Sequence, residues 1–246
     1  MNDETVNQQE FAYRQIRSRI MKLIYEPGVR VSLKQIENDI QVGRTPVREA
    51  LIRLKREGLL EILPQRGTYI SKIDLNSAIN ARYVREHLEQ LIVMEATAKL
   101  TTENVERFKE IIRRQQLYFA NQDHARFFEQ DEVFHRLFYQ VTNKLQIWNW
   151  LQTINTHLNR FRWLRLRVKE LQWKKIIIQH IHILKAAMAG DADEAQFLTS
   201  QHLHLMIDEK QVLIDKYPDY FADHSTERKM ADSLDPFLQA IDRSGS

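Results

Sequence analysis

Residues 43–68 read GRTPVREALIRLKREGLLEILPQRGT, and their pattern decides the fold of the N-terminal part of the chain. Val47, Ala50, Leu51 and Leu54 recur at intervals of three and four, the apolar stripe of a helix packed on a core. Thr45 is expected as its N-cap and Pro46 as its first helical residue, because a threonine oxygen accepts a free N–H and proline has none to leave unpaired. Gly58 ends the helix. The stripe leaves Arg48, Ile52 and Lys55 or Arg56 on the opposite face, with Arg44 at the N-terminal tip. Two β-like runs follow, 59–63 and 68–73, and Pro64-Gln65-Arg66-Gly67 between them is a hairpin signal.

The residues before this stretch supply two more helices. Tyr13, Ile16, Ile20, Leu23 and Ile24 repeat at helical spacing, and Pro27-Gly28 closes that segment. Ser32 with Gln35 forms a possible capping box for a short helix carrying Leu33, Ile36 and Ile40. A tight turn follows, in which Gly43 is free to take a positive φ. Helix, helix, turn, helix, hairpin is the order of a winged helix-turn-helix. Between Glu10 and Ile73 there are 13 Lys and Arg against 7 Asp and Glu, although the whole chain is only +3. A local cationic excess suits a partner made of phosphates.

From about Leu75 the strand signals vanish and helical stretches dominate, at 75–99, 103–120, 124–141, 145–169, 172–189 and 192–214, with a break at Gly190-Asp191. The expected architecture is mainly α: a winged helix-turn-helix over 10–74, an all-α antiparallel helical bundle over 75–222, and a polar tail over 223–246 that frays at Ser244-Gly245-Ser246. No apolar run approaches the roughly 18 residues of a membrane span. The polar N-terminus is not a secretory signal. The absence of cysteine excludes disulfides and thiolate metal sites and fits a cytoplasmic protein.

An anion suits the N-terminus of the third helix, where free N–H groups meet the positive end of the helix dipole. Arg48, one turn in, can reach a guanine edge in the major groove. The run from Gly43 to Leu54, then Glu57-Gly58-Leu59 and Arg66-Gly67-Thr68, resembles the signature of GntR-family transcription regulators, and the likeness extends over about 10–222. That resemblance implies that Arg44, Thr45, Arg48 and Gly67 contact operator DNA, with Arg53 and, more weakly, Lys34 as phosphate contacts. Arg66 and Gly67 sit at the wing tip, where a small residue permits close approach of the backbone to DNA.

The bundle holds a second constellation. All nine histidines lie at or beyond His87. Asp131 and His135, four apart, share one helix face. The pair alone is also an ordinary surface hydrogen bond. His180 and His202 fall on either side of the Gly190 turn, ten residues before it and twelve after, so antiparallel helices bring them level. Together these four residues could ligate a divalent metal, zinc or nickel first, with iron or manganese as further candidates. His182 and His204 should face elsewhere, and His87, His124, His157 and His224 read as structural or exposed. Phe134-His135, His180 with Ile183-Leu184, and His202-Leu203 resemble the C-terminal domain of the fatty-acid-regulator (FCD) subgroup. The resemblance implies a metal held by one Asp and three His at these places.

One carboxylate and three neutral imidazoles leave a divalent ion with a charge of about +1 and open positions, which attracts a small carboxylate effector. Arg85 matches an arginine that lines the pocket in this subgroup, though a salt bridge to Glu89 would equally occupy it. Arg162 is a weaker pocket candidate. Trp148, Trp150, Phe161 and Trp163 read as core and interface packing. The resulting expectation is a homodimeric repressor on palindromic operator DNA, released by an organic acid. A metalloenzyme is the main rival, but Glu132, the nearest spare carboxylate, should point away from the ligands. A purely structural metal, or a metal-free apolar pocket for a lipid-like effector, are the other readings.

Overall fold

A computed structural model describes residues 3–169, 171 and 173–222. The tail over 223–246, with His224, lies outside the described residues. α1 (Asp3–Met21) buries Ala12, Ile16 and Ile20 at four-residue spacing. It stops sooner than its apolar pattern suggested. Leu23 takes φ 55° and is 1% exposed, packed with Ile73, Ala78 and Phe161 of the junction with the second domain. The chain leaves the helix so that Leu23 can turn away from the first core into that junction. Pro27-Gly28 therefore follows the turn without making it.

β1 (Arg30–Val31), two residues long, gave no periodic signal and was not anticipated. α2 (Leu33–Ile40) begins at Ser32, whose Oγ accepts the Gln35 N–H at 3.1 Å. In the turn to α3 (Arg44–Arg56) the left-handed residue is Gln41, φ 55°, while Gly43 has φ −65°. Gly43 is itself the N-cap, without a side-chain bond, and Thr45 stands inside the helix. Both expectations for this turn are thus corrected: the reversal comes two residues early, so Gly43 has ordinary backbone. α3 buries Val47, Ala50, Leu51 and Leu54 against α1 and α2. β2 (Leu60–Leu63) and β3 (Gly67–Ile70) form the wing, with Leu63 opposite Gly67, and β1 pairs with the other edge of β3.

The helical part comprises α4 (Leu75–Thr97), α5 (Thr102–Ala120), α6 (His124–Val141), α7 (Leu145–Ile154), α8 (Thr156–Leu166), α9 (Trp173–Met188) and α10 (Ala192–Lys216). The single helix expected over 145–169 is two, divided at buried Asn155. Apolar spacing runs through the break and hides it. Gly190, φ 76°, turns α9 into α10, and Asp191 caps the latter. After a 3-10 turn, η1 (Pro218–Tyr220), Phe221 forms a parallel bridge to Ile73. The end of the described chain thus clasps the segment joining the wing to α4, with Ile73 N–H donating to the Tyr220 carbonyl at 2.8 Å.

Candidate nucleic-acid interface and metal centre

Because the apolar residues of α3 turn inward, its other face is left to solvent. Arg44, Thr45, Arg48, Ile52, Lys55 and Arg56 are all exposed, as are Lys34 on α2 and Arg66 at the wing tip. Gly67 is half-buried at φ +118°. Among the described residues, Arg44, Arg48 and Arg66 have no ion-pair partner. Arg53 differs: its guanidinium lies 3.4 Å over the Tyr13 ring and pairs with Glu10 at 3.0 Å and Glu57 at 3.4 Å. These contacts tie α3 to α1 while the side chain stays about half exposed, at 53%.

In the bundle, α6, α9 and α10 bring Asp131, His135, His180 and His202 together, all buried, with one ligand atom from each within 4.8 Å of the others. Nε2 of His202 lies 3.2 Å from Nε2 of His135 and 3.3 Å from Nε2 of His180. The opposite nitrogen of each ring is engaged by an oxygen: His135 Nδ1 with Glu89 Oε2 at 2.6 Å, His180 Nδ1 with Gln115 Oε1 at 3.0 Å, and His202 Nδ1 with Gln179 Oε1 at 3.0 Å. An oxygen acceptor fixes the proton on Nδ1 and turns the Nε2 lone pair inward. Three lone pairs converging within van der Waals distance repel one another unless a cation lies between them. The donor set therefore fits a divalent metal.

The protonation states agree. Burial pushes His180 down to about 3 and His202 well below its usual value, so both rings are neutral. Burial alone would raise Asp131, but the Arg162 guanidinium and the surrounding histidines hold it below the ordinary carboxylate range. Burial also opposes the charge of Glu89, and Arg85 with His135 overrides it, bringing that carboxyl to about 2. Glu89, on α4, was not picked out as a partner of His135. Its place four residues after Arg85 was visible; the fold supplies the rest.

A cavity of about 60 Å³ opens beside these four residues, and Arg82, Arg85, Arg162 and Arg165 line it. Arg85 is 1% exposed and bonds Glu89 from Nε at 2.6 Å, while its Nη2 is buried without an acceptor. Salt bridge and cavity wall are both true of it. Arg82 Nε and Arg165 Nη1 are buried and unsatisfied as well, although Arg82 pairs with Glu86 and Arg165 with Glu209. Arg162 reaches Asp131 with Nη2 and Glu132 with Nη1, the latter at 2.5 Å. Glu132, expected to face away, joins the cluster through this arginine. Arg82 and Arg165 escaped the sequence reading; their signal was the matched spacing of three in Arg82/Arg85 and Arg162/Arg165.

The other histidines among the described residues lie outside the centre. His182, His204 and His87 are exposed. His124 packs edge-on to Trp173 at 4.3 Å, and His157 accepts the Asp74 N–H at 3.0 Å. Trp148, Phe161 and Trp163 are buried in cores, and Trp150 is 61% exposed.

Residues 8–70 match the bacterial regulatory proteins of the gntR family, and 82–205 match the FCD domain. The chain belongs to the GntR family, in its FCD branch. It is 27% identical over 220 residues to the HTH-type transcriptional repressor RspR of Escherichia coli, covering 89% of this chain and 95% of that one. It is 23% identical over 185 residues to the Nta operon transcriptional regulator of Aminobacter aminovorans, covering 75% and 86%. Among solved structures, Escherichia coli McbR/YncC shares the fold at TM-score 0.68 and 18% identity over 88% of this chain and all of that one, 100%. A GntR regulator from Rhodococcus does so at 0.69 and 19%, covering 84% and 98%. This GntR–FCD protein is a transcription regulator with a DNA-binding helix-turn-helix and an effector domain, not an enzyme. No helix among the described residues is long and apolar enough to cross a membrane.

Proposed function

We propose that this regulator binds a palindromic operator as a homodimer and acts as a repressor. A small organic acid, bound beside a divalent ion at Asp131, His135, His180 and His202, controls its operator affinity. The observation that carries this reading is the inward convergence of three Nε2 atoms beside a cavity whose lining arginines Arg82, Arg85 and Arg165 each keep a buried, unsatisfied N–H group. Buried donors without acceptors are costly, and a carboxylate supplies acceptors and charge together. A bound ion would give the acid a positive centre to lean on. The four arginines would hold and orient it.

Helix α8 is the route from this cavity to DNA. Arg162 touches the ligand Asp131. Two residues earlier, Arg160 donates to Ser71, in the segment behind the wing. At the C-cap of the same helix, Arg167 donates to the carbonyls of Lys22 and Leu23 at 2.9 and 3.0 Å, where α1 ends. An acid that draws Arg162 off Asp131 moves a helix bonded to the DNA-binding domain at two places, the end of α1 and the segment behind the wing. Tyr83, Val84 and Leu91 on α4 with Trp150 and Ile154 on α7 leave apolar surface exposed, a surface suited to a second copy. A two-fold pair would present two α3 tips to two half-sites, and the acid can shift their spacing only by its preference for one state.

The test is binding to a duplex selected by the protein from random sequence, measured with zinc-loaded protein across a panel of small carboxylates and hydroxy-carboxylates. The expected result is that at least one acid lowers affinity by fivefold or more, on the order of a typical coupling energy, and that His202→Ala abolishes the response. An unchanged DNA affinity across the panel would overturn the reading.

A further inference from the structure

Arg30 stands on β1 directly across from Tyr69 of β3, with its side chain exposed. Residues two apart on a strand share a face, so Gly67, Tyr69 and Arg30 lie on one side of the wing. Glu61 of β2 pairs with the other edge of Tyr69, two strand spacings or roughly 10 Å from Arg30. Among the described residues no ion pair joins them. Arg30 instead runs along β3 toward the tip. A Cβ placed on Gly67 would meet Arg30 Nε at 2.7 Å and Nη2 at 3.2 Å. The space left by the missing side chain is therefore filled by a guanidinium. Tyr69 supports the same spot, its hydroxyl donating to the Arg66 carbonyl at 3.3 Å.

This changes the meaning of the glycine. A duplex approaching the bare side of Gly67 meets the Arg30 cation before it meets backbone. Arg30 has no carboxylate or hydrogen-bond acceptor among the described residues, so no ion pair among them accounts for its placement. A guanidinium lying over Gly67, with no acceptor for its N–H groups among the described residues, can take a phosphate with two parallel bonds. We infer that Arg30 is a phosphate-binding residue of the DNA interface, laid across Gly67 so that the wing presents two cations, Arg30 and Arg66, to the duplex backbone.

The experiment uses the full chain, the duplex it selects from random sequence and a mixed-sequence duplex, with binding measured over a series of salt concentrations. Each phosphate neutralised contributes about 0.9 to the slope of log K against log salt. R30Q is expected to lower that slope by about one unit for each phosphate it no longer holds, and to weaken both duplexes by the same factor, because phosphates carry no sequence. R30K is expected to keep the wild-type slope. If Arg30 only props the wing, R30Q weakens binding without changing the slope, and that result overturns the inference. A reduced slope in R30K, which retains the charge, overturns it equally, and so settles the question even if R30Q folds poorly.

Discussion

Arg160 of α8 donates from Nη2 to the Ser71 main-chain oxygen at 2.6 Å and from Nη1 to Ser71 Oγ at 3.0 Å, a buried link between the effector domain and the residues behind the wing. Arg160 is fully buried, and desolvation alone draws it down to about 10, so it keeps its charge at neutral pH. If α8 transmits the state of the metal centre, cutting this link should uncouple binding from response. Arg160→Met is expected to retain metal and acid binding while the acid's effect on DNA affinity falls to under about a third of the wild-type coupling energy. Parallel calorimetry and DNA titrations check this. Full coupling in a folded variant would rule α8 out at this point.

Glu89 orients His135 through Nδ1 at 2.6 Å. Partners of this kind typically influence metal affinity by 10–100-fold, about 1.4–2.7 kcal/mol. Glu89→Gln should weaken zinc binding on that scale without removing a ligand, read by competition with a chromogenic chelator. Wild-type affinity in the variant would show that the carboxylate serves Arg85 alone.

His157 gives a pH dependence away from the metal. Burial, then Arg160, pushes its imidazole down from 6.5 to about 4. In the unfolded chain it titrates near its usual value. Between about pH 6.5 and pH 4 the unfolded state therefore binds the extra proton, and stability falls as pH is lowered through that window. Protonation would also cost Nδ1 its bond from Asp74 N–H. His157→Asn keeps an acceptor and cannot titrate. Its urea midpoint should fall less between about pH 7 and pH 5 than the wild type's, whereas an equal fall would remove His157 as the cause.

Arg48 and Arg53 lie on one helix and should behave differently. Arg48 is exposed and free among the described residues, so Arg48→Ala should cost about 1–3 kcal/mol of discrimination between selected and mixed duplexes. Arg53 is held by Glu10, Glu57 and the Tyr13 ring. Arg53→Ala should instead lower the melting temperature, each exposed pair contributing under about 1 kcal/mol, and leave the affinity for both duplexes and its salt slope unchanged. A uniform loss of affinity for both duplexes with a lower salt slope would make Arg53 a phosphate contact of the interface.

The DNA-binding half was legible because its apolar residues fall at strict helical spacing around a turn-rich hairpin, and because exposed arginines follow as the complement of that stripe. The four metal candidates were legible for a similar reason: a spacing of four on one helix, and near-equal offsets from Gly190 on two others. What escaped depends on contacts between elements. Asn155 divides a continuous apolar pattern. Gln41, not Gly43, takes the left-handed turn. Glu89, Gln115 and Gln179 find the histidines only after three further packings, and β1 is too short to carry a period.

Control of DNA binding at the metal centre requires that Asp131, His135, His180 and His202 hold a divalent ion, and anomalous diffraction from crystals of the zinc-loaded protein would locate it. The predicted result is one peak in each chain, about 2.0–2.2 Å from an Asp131 oxygen and from the three Nε2 atoms. No peak between the rings, with Arg162 still seated on Asp131, would contradict it.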